Sequence, residues 1–431
     1  MTDLLLRLAS ARRDSTPFGI TSVCSAHPTV LRAAIRRAAR TEREVLIEAT
    51  CNQVNQFGGY TGMTPDKFVD LVRAIAAEEG ADAAKILFGG DHLGPNPWKR
   101  EAQESAMAKA EAMVEAYVRA GFTKIHLDAS MGCAGEPAAL DDATIAKRAA
   151  RLALAAETAA KSAGLVPPVY ILGTEVPMPG GADHVLDHVE PTAPEAAQAT
   201  IAVHREVFQE AGLADAFSRV IAFVVQPGVE FGSENVVAYE PARALRLAAL
   251  LNEETQFVFE AHSTDYQTAE ALQALVRDGF PILKVGPGLT FAYREAAYAL
   301  DLIASEIVAG YGDRPLMRTL EAAMLAEPSD WHGHYHGDET ALRVQRHYSY
   351  SDRVRYYWNL PEGRAAVHRL NEALRDVAIP ETLMHQYLPL IPAQAALTRD
   401  PEAILIAAVD MVLSIYDQAA SPSGESADRL G

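Results

Sequence analysis

The chain has 431 residues, 49% of them apolar, and a formal net charge of −19. That charge argues against nucleic acid and anionic membrane as partners, since both call for basic surface. It leaves room for a small anionic substrate in a locally basic or metal-containing pocket. No run reaches the roughly 20 apolar residues of a membrane span, and the amphipathic start MTDLLLRLASARRDS lacks the features of a secretory signal. Three cysteines, Cys24, Cys51 and Cys133, show no CxxC spacing, which fits a reduced cytoplasmic protein.

In chain order, short β-rich runs alternate with long Ala-rich amphipathic segments. Strands are expected at 18–25, 44–50, 85–92, 124–130, 168–176, 220–228, 256–263 and 282–289. Helices are expected at 28–40, 64–80, 100–120, 141–164, 194–212, 238–252, 265–278 and 292–310. Thr64 and Pro65 suit the N-cap and first position of the second helix. Eight strand–helix repeats in about 300 residues predict a (β/α)8 TIM barrel over 1–310. A doubly wound open sheet is the alternative, disfavoured by the count of eight. Past residue 310 the strand pattern stops. Segments 313–325, 339–347, 362–378 and 400–418 read as helical, so 311–431 is expected to be a helical C-terminal extension packed on the barrel.

Barrel active sites lie at the C-terminal strand ends, and here these ends are polar. They carry Cys24 and Ser25; Glu48, Asn52 and Gln53; Asp91 and His92; His126, Asp128 and Ser130; Glu175; Gln226; Glu260, His262 and Ser263; and Lys284. His126 and Asp128 are two apart and share a strand face, as do Glu260 and His262. His92 and His262, with Gln226, are the expected ligands of a divalent metal ion, Zn2+ by ligand type, with Glu175 a further candidate. A strand-end histidine also serves commonly as a hydrogen-bonded structural residue. Asp91, Glu260 and Glu175 are the candidate acids and bases, although barrels also place such groups in internal ion pairs. Lys284 suits a buried salt bridge with a nearby Glu, phosphate binding or a Schiff base.

The glycine loops GVEFGSEN and GPGLT follow the sixth and eighth strands. Their backbone N–H groups at Gly228, Gly286 and Gly288 suit phosphate, with Asp128, Ser130 and Ser263 beside the substrate. Tight turns are the simpler reading of such loops. No GxxxxGK[ST] or GxGxxG motif is present, so nucleotide chemistry has no support there. WHGHYHGD, with His332, His334 and His336, reads as a surface loop. In YSYSDRVRYYW, Arg353 and Arg355 can reach an anionic ligand from the extension, while the aromatics suit packing on the barrel.

The segments GGDHLGPN, KIHLDAS, GTEVPMPGG, QPGVEFG, FEAHSTDY and LKVGPGLTFAYREA, with SYSDRVRYYW, resemble the GatZ/KbaZ family over nearly the whole chain. That resemblance implies a component of class II D-tagatose-bisphosphate aldolase, described as its non-catalytic stabilising subunit; an older description is tagatose-6-phosphate kinase. The family is similar in turn to catalytic class II aldolases. On that pattern Asp91 is the acid/base, His92 and His262 bind zinc, and Asp128 supports them, but the remaining zinc histidine falls at Gln226, a weaker neutral donor. The resemblance also extends to metal-dependent ketose 4-epimerases, which implies retro-aldol cleavage, rotation and re-addition on a ketose or sugar phosphate. A metal there would polarise the C2 carbonyl; Asp91 would take the C4 hydroxyl proton, and Glu260 or Glu175 would serve the opposite face. The implied partners are the sugar substrate, further copies of this chain in a homo-oligomer, and a catalytic aldolase subunit.

Overall fold

The computed structural model describes residues 3–173 and 189–421. Eight parallel strands close into a barrel in chain order. They are β1 (Ile20–Cys24), β2 (Val45–Thr50), β3 (Ile86–Leu93), β4 (Lys124–Leu127), β5 (Val169–Leu172), β6 (Val220–Val224), β7 (Val258–Ala261) and β8 (Ile282–Val285). Closure is made by β8 on β1, with Ser22 opposite Lys284. The expected (β/α)8 barrel is therefore present.

Differences from the sequence reading lie at the strand ends. The run 220–228 leaves the ladder at Val224, and 282–289 leaves it at Val285. GPGLT is not a free loop, because a helix begins at Pro287 and runs to Ile307. Proline at a first helical position loses no helix hydrogen bond, since that N–H has no partner anyway. Glu230–Phe231 of GVEFGSEN pairs with Val236–Val237 just beyond it as a small antiparallel hairpin. Pro65 opens its helix as expected, but the Thr64 hydroxyl bonds to Asp66 rather than to a helix amide.

Side chains two apart on a strand share a face, so the barrel interior is layered by sequence. The lowest layer is apolar: Ile20, Leu46, Leu87, Val169, Val258 and Ile282 pack together, with Leu5 and Leu8 from the N-terminal helices against them. Two residues further along the strands the layer is ionic, with Glu48, Lys124, Glu260 and Lys284 at 0 to 6% side-chain exposure. Lys124 Nζ lies 2.6 Å from Glu48 and 2.7 Å from Glu260. Lys284 Nζ lies 2.8 Å from Glu48 and 3.3 Å from Glu260. Buried charges are tolerable only when paired in this way. One layer higher still stand Cys24, Asp91, His126 and His262.

The helices beyond the barrel pack onto it. Contrary to the expectation that no segment is apolar enough, Pro401–Ala420, though interrupted by Asp410 and Asp417, is long and apolar enough by length and composition to cross a membrane, with a mean hydropathy of 1.5. In this fold it lies between the first barrel helix, Pro28–Thr41, and helices Ala269–Asp278 and Pro287–Ile307. Its Asp410 and Asp417 pair with the buried Arg37. The segment 349–356 is tied to the barrel mouth through the buried Asp352. That carboxylate accepts from Thr290 Oγ1 at 2.6 Å and pairs with Arg294 Nε at 2.7 Å.

Candidate active site

The mouth of the barrel opens on a cavity of about 630 Å³. Its walls include Asp91, His92 and Lys284 from strands β3 and β8, with His262 just past β7 and Arg353, Arg355 and Tyr356 from the extension. Asp91, His92, His126 and His262 each offer a ligand atom, and these atoms lie within 4.8 Å of one another.

Each of the three imidazoles has one ring nitrogen held by an acceptor. His92 Nδ1 is 2.8 Å from Asp128 Oδ2, His126 Nε2 is 2.9 Å from the Gly173 carbonyl oxygen, and His262 Nε2 is 2.9 Å from Glu260 Oε1. A carbonyl oxygen or carboxylate only accepts, so these nitrogens carry the hydrogens in the neutral rings. That leaves the lone pairs on His92 Nε2, His126 Nδ1 and His262 Nδ1, and the His126 one faces the His92 backbone N–H at 3.2 Å. Three imidazoles oriented by carboxylate and carbonyl acceptors, beside a carboxylate, are a donor set suited to a divalent transition metal. Burial and nearby Lys284 push the His262 pKa down to about 3, keeping it neutral as a ligand must be. His92 sits at φ +48°, a left-handed conformation that costs a non-glycine residue energy and is found at sites held by their surroundings.

Asp91 is gripped on several sides. Its carboxylate is 3.0 Å from His126 Nδ1, accepts from the Cys24 thiol at 3.1 Å and pairs with Lys284. Burial alone would raise this carboxyl, but the charge of His92 when protonated and the fixed charge of Lys284 outweigh burial and hold it well below the usual carboxylate range. The same ion pairs outweigh burial at Lys284 and hold its ammonium well above the usual value, so it stays protonated.

The structure brings together Asp91, His92 and His262. Asp128 stands behind His92 and itself accepts from Ser130 Oγ at 2.6 Å. Glu260 lies beneath His262 in the ionic layer and is fully buried. Gln226 is not among the residues that line the cavity, and its Oε1 accepts from the N–H groups of Gly228 and Val229, both at 2.8 Å. The Gly228 N–H is thereby engaged within its own loop. Gly286 and Gly288 likewise donate their N–H groups to Asp265 Oδ1, at 2.9 and 2.7 Å. Ser263 and Arg353 line the cavity, with an Arg353 nitrogen donating to the Asp330 carbonyl at 2.8 Å. Of the three histidines in WHGHYHGD, His334 lines the cavity while His332 and His336 are exposed. Glu175 lies outside the described residues.

The structure adds His126, which the sequence places among the polar strand ends but not among the expected ligands, to the group that could hold an ion. The signal was present: it shares a strand face with Asp128, and β4 neighbours β3, which carries Asp91. Lys124, two residues before it, finds its partners Glu48 and Glu260 only when the barrel closes around it.

Over residues 5–421 the chain matches the family described as D-tagatose-1,6-bisphosphate aldolase subunit GatZ/KbaZ-like. It is 68% identical over 419 residues to the D-tagatose 6-phosphate 4-epimerase of Agrobacterium fabrum, an alignment covering 97% of this chain and 99% of the relative. It superposes, at a TM-score of 0.86 and 56% identity, on a crystal structure described as a probable tagatose 6 phosphate kinase from Sinorhizobium meliloti 1021, covering 93% of this chain and 100% of that one. With a family match that spans the barrel and the extension, the chain belongs to the GatZ/KbaZ-like family of D-tagatose-1,6-bisphosphate aldolase subunits.

Proposed function

We propose that the chain is a metal-dependent 4-epimerase acting on D-tagatose 6-phosphate and its C4 epimer, D-fructose 6-phosphate. The observation that carries this reading is the convergence of His92, His126, His262 and Asp91 at the barrel mouth. The 68% identity to a 4-epimerase over both full lengths supports it. His92, His126 and His262 would hold the ion, with Zn2+ the best match to the donor types. A divalent ion there supplies Lewis-acid polarisation of the substrate's C2 carbonyl.

The remaining steps fall to the chain's own groups. Asp91, kept ionised by Lys284, accepts the proton of the C4 hydroxyl as the C3–C4 bond breaks. The bonding pair stays on C3, in conjugation with the C2 carbonyl of the C1–C3 fragment, and C4 becomes the aldehyde carbon of the phosphorylated C4–C6 fragment. The aldehyde turns its opposite face to C3, the bond re-forms, and the proton returns to the C4 oxygen. Glu260, engaged by Lys124, Lys284 and His262, holds His262 in place and is not given the opposite-face role. Lys284 acts as a fixed cation.

A stabilising role beside a catalytic aldolase subunit rests on the family description, and a kinase role on one relative's name. Neither calls for an oriented histidine triad next to an ionised aspartate. The test is to load the purified chain with Zn2+, incubate it alone with D-tagatose 6-phosphate, and resolve the ketose phosphates by chromatography. Interconversion lost with chelator and in Asp91→Asn is expected. A fully metallated protein that converts neither epimer would overturn the proposal.

A further inference from the structure

The cavity wall is unevenly neutralised. Among the described residues its carboxylates all have internal partners: Asp91 is held by Lys284, Asp128 by His92, Glu101 by Lys109 at 2.6 Å, and Asp265 by the amides of Gly286 and Gly288. The cations nearer the rim differ. Lys99, Arg100 and Arg355 line the same cavity, and among the described residues none has a carboxylate within ion-pair distance. Asp352, the acid closest in sequence to Arg355, is engaged by Arg294 and Thr290. The Arg355 guanidinium instead donates to the backbone carbonyls of Ser351 and Asp352 and to the Tyr356 hydroxyl. These bonds fix its position without neutralising it. In a chain of net charge −19, three cations unmatched by carboxylates around one cavity are a site for an anion.

The usual alternative in this fold is already filled. Barrels commonly hold phosphate on backbone amides at a helix start after the seventh and eighth strands. Here those amides, at the start of Pro287–Ile307, point at the Asp265 carboxylate. A phosphate dianion brought there meets a buried acid in place of open N–H groups.

We infer that the phosphoryl group of the substrate is held by side chains, with Arg355 of the C-terminal extension and Lys99 and Arg100 of the loop after β3 as its clamp, and not by the glycine-loop amides. This deepens the epimerase reading and rests on it for the identity of the sugar, but the phosphate clamp is readable without turnover. It also gives the extension a function: it carries the guanidinium that distinguishes a phosphorylated ketose from a free one.

The test is calorimetric titration of the full metal-loaded chain with inorganic phosphate and, separately, with D-fructose 6-phosphate. The variants are Arg355→Met and the double change Lys99→Met with Arg100→Met, the second confined to exposed side chains so that folding is not in question. Each is expected to weaken both ligands roughly 10- to 100-fold, the scale of a lost charge-assisted hydrogen bond. In turnover the change should appear in KM far more than in kcat. Unaltered phosphate affinity in both variants would overturn the clamp, even if the parent protein epimerises. Weakened phosphate binding in a parent that does not epimerise supports the clamp and removes the epimerase reading.

Discussion

Gly89 faces Glu48 so closely that a β-carbon on it would fall 2.4 Å from Glu48 Oε1. The two residues are in register on neighbouring strands β2 and β3. The absent side chain is what lets the Glu48 carboxylate turn inward between Lys124 and Lys284. Gly89→Ala should therefore act on the ionic layer rather than on backbone freedom. Displacing Glu48 leaves two buried ammonium groups short of a partner, a change of about 3–5 kcal/mol. Urea unfolding of the variant measures it. A loss below about 1 kcal/mol would mean the layer relaxes without cost.

The histidine group and Gln226 make opposite demands on metal content. His126→Ala should lose bound metal under conditions where the parent retains it. Gln226→Ala should keep it, because Gln226 holds the loop amides of Gly228 and Val229. Asp128→Asn should weaken metal binding roughly 10- to 100-fold by releasing His92 Nδ1, as loss of an outer-shell acceptor does. Elemental analysis of dialysed protein separates these cases. Metal retained in His126→Ala and lost in Gln226→Ala would reverse the assignment.

Lys284 has the right neighbourhood for a salt bridge and the wrong one for a Schiff base. An amine attacks a carbonyl only when deprotonated, and Asp91, Glu48 and Glu260 keep this one charged. Borohydride added in the presence of ketose phosphate should leave activity intact and add no mass to the chain. A covalent adduct on Lys284, found by peptide mass analysis, would refute this.

Glu230 sets a pH dependence outside the histidine group. Burial, helped by nearby Asp265, raises its pKa to about 7 from the ordinary 4.5. The folded chain thus holds a proton that the unfolded chain gives up between about pH 4.5 and 7. The unfolded state binds fewer protons in that window, so stability contributed by this site falls as pH rises through it. Glu230→Gln should flatten that decline. Thermal midpoints of parent and variant at pH 5 and pH 7.5 test it, and equal differences at both values would show that Glu230 does not titrate there.

Much of this protein was legible in one dimension. The period-two alternation of Leu46 with Glu48, and of Val258 with Glu260 and His262, places apolar, ionic and site residues on one face, because side chains alternate across a strand by geometry alone. Eight such runs separated by amphipathic helices sufficed for the barrel, and the polar strand ends marked its mouth. Asp91 and His92 could be named because they stand near the end of β3, and His262 because it directly follows β7.

What sequence spacing does not carry is which groups meet across the closed barrel, and in which state. Glu48, Lys124, Glu260 and Lys284 are up to 236 residues apart in sequence and become one buried ion network only on closure. His126 joins His92 and His262 because three strands converge, whereas Gln226, at an equally plausible strand end, turns back onto its own loop. Gly286 and Gly288 suit phosphate by sequence, but in the fold their amides donate to Asp265. In each case a polar group taken out of water must find a partner nearby, and only the tertiary structure decides which partner is near.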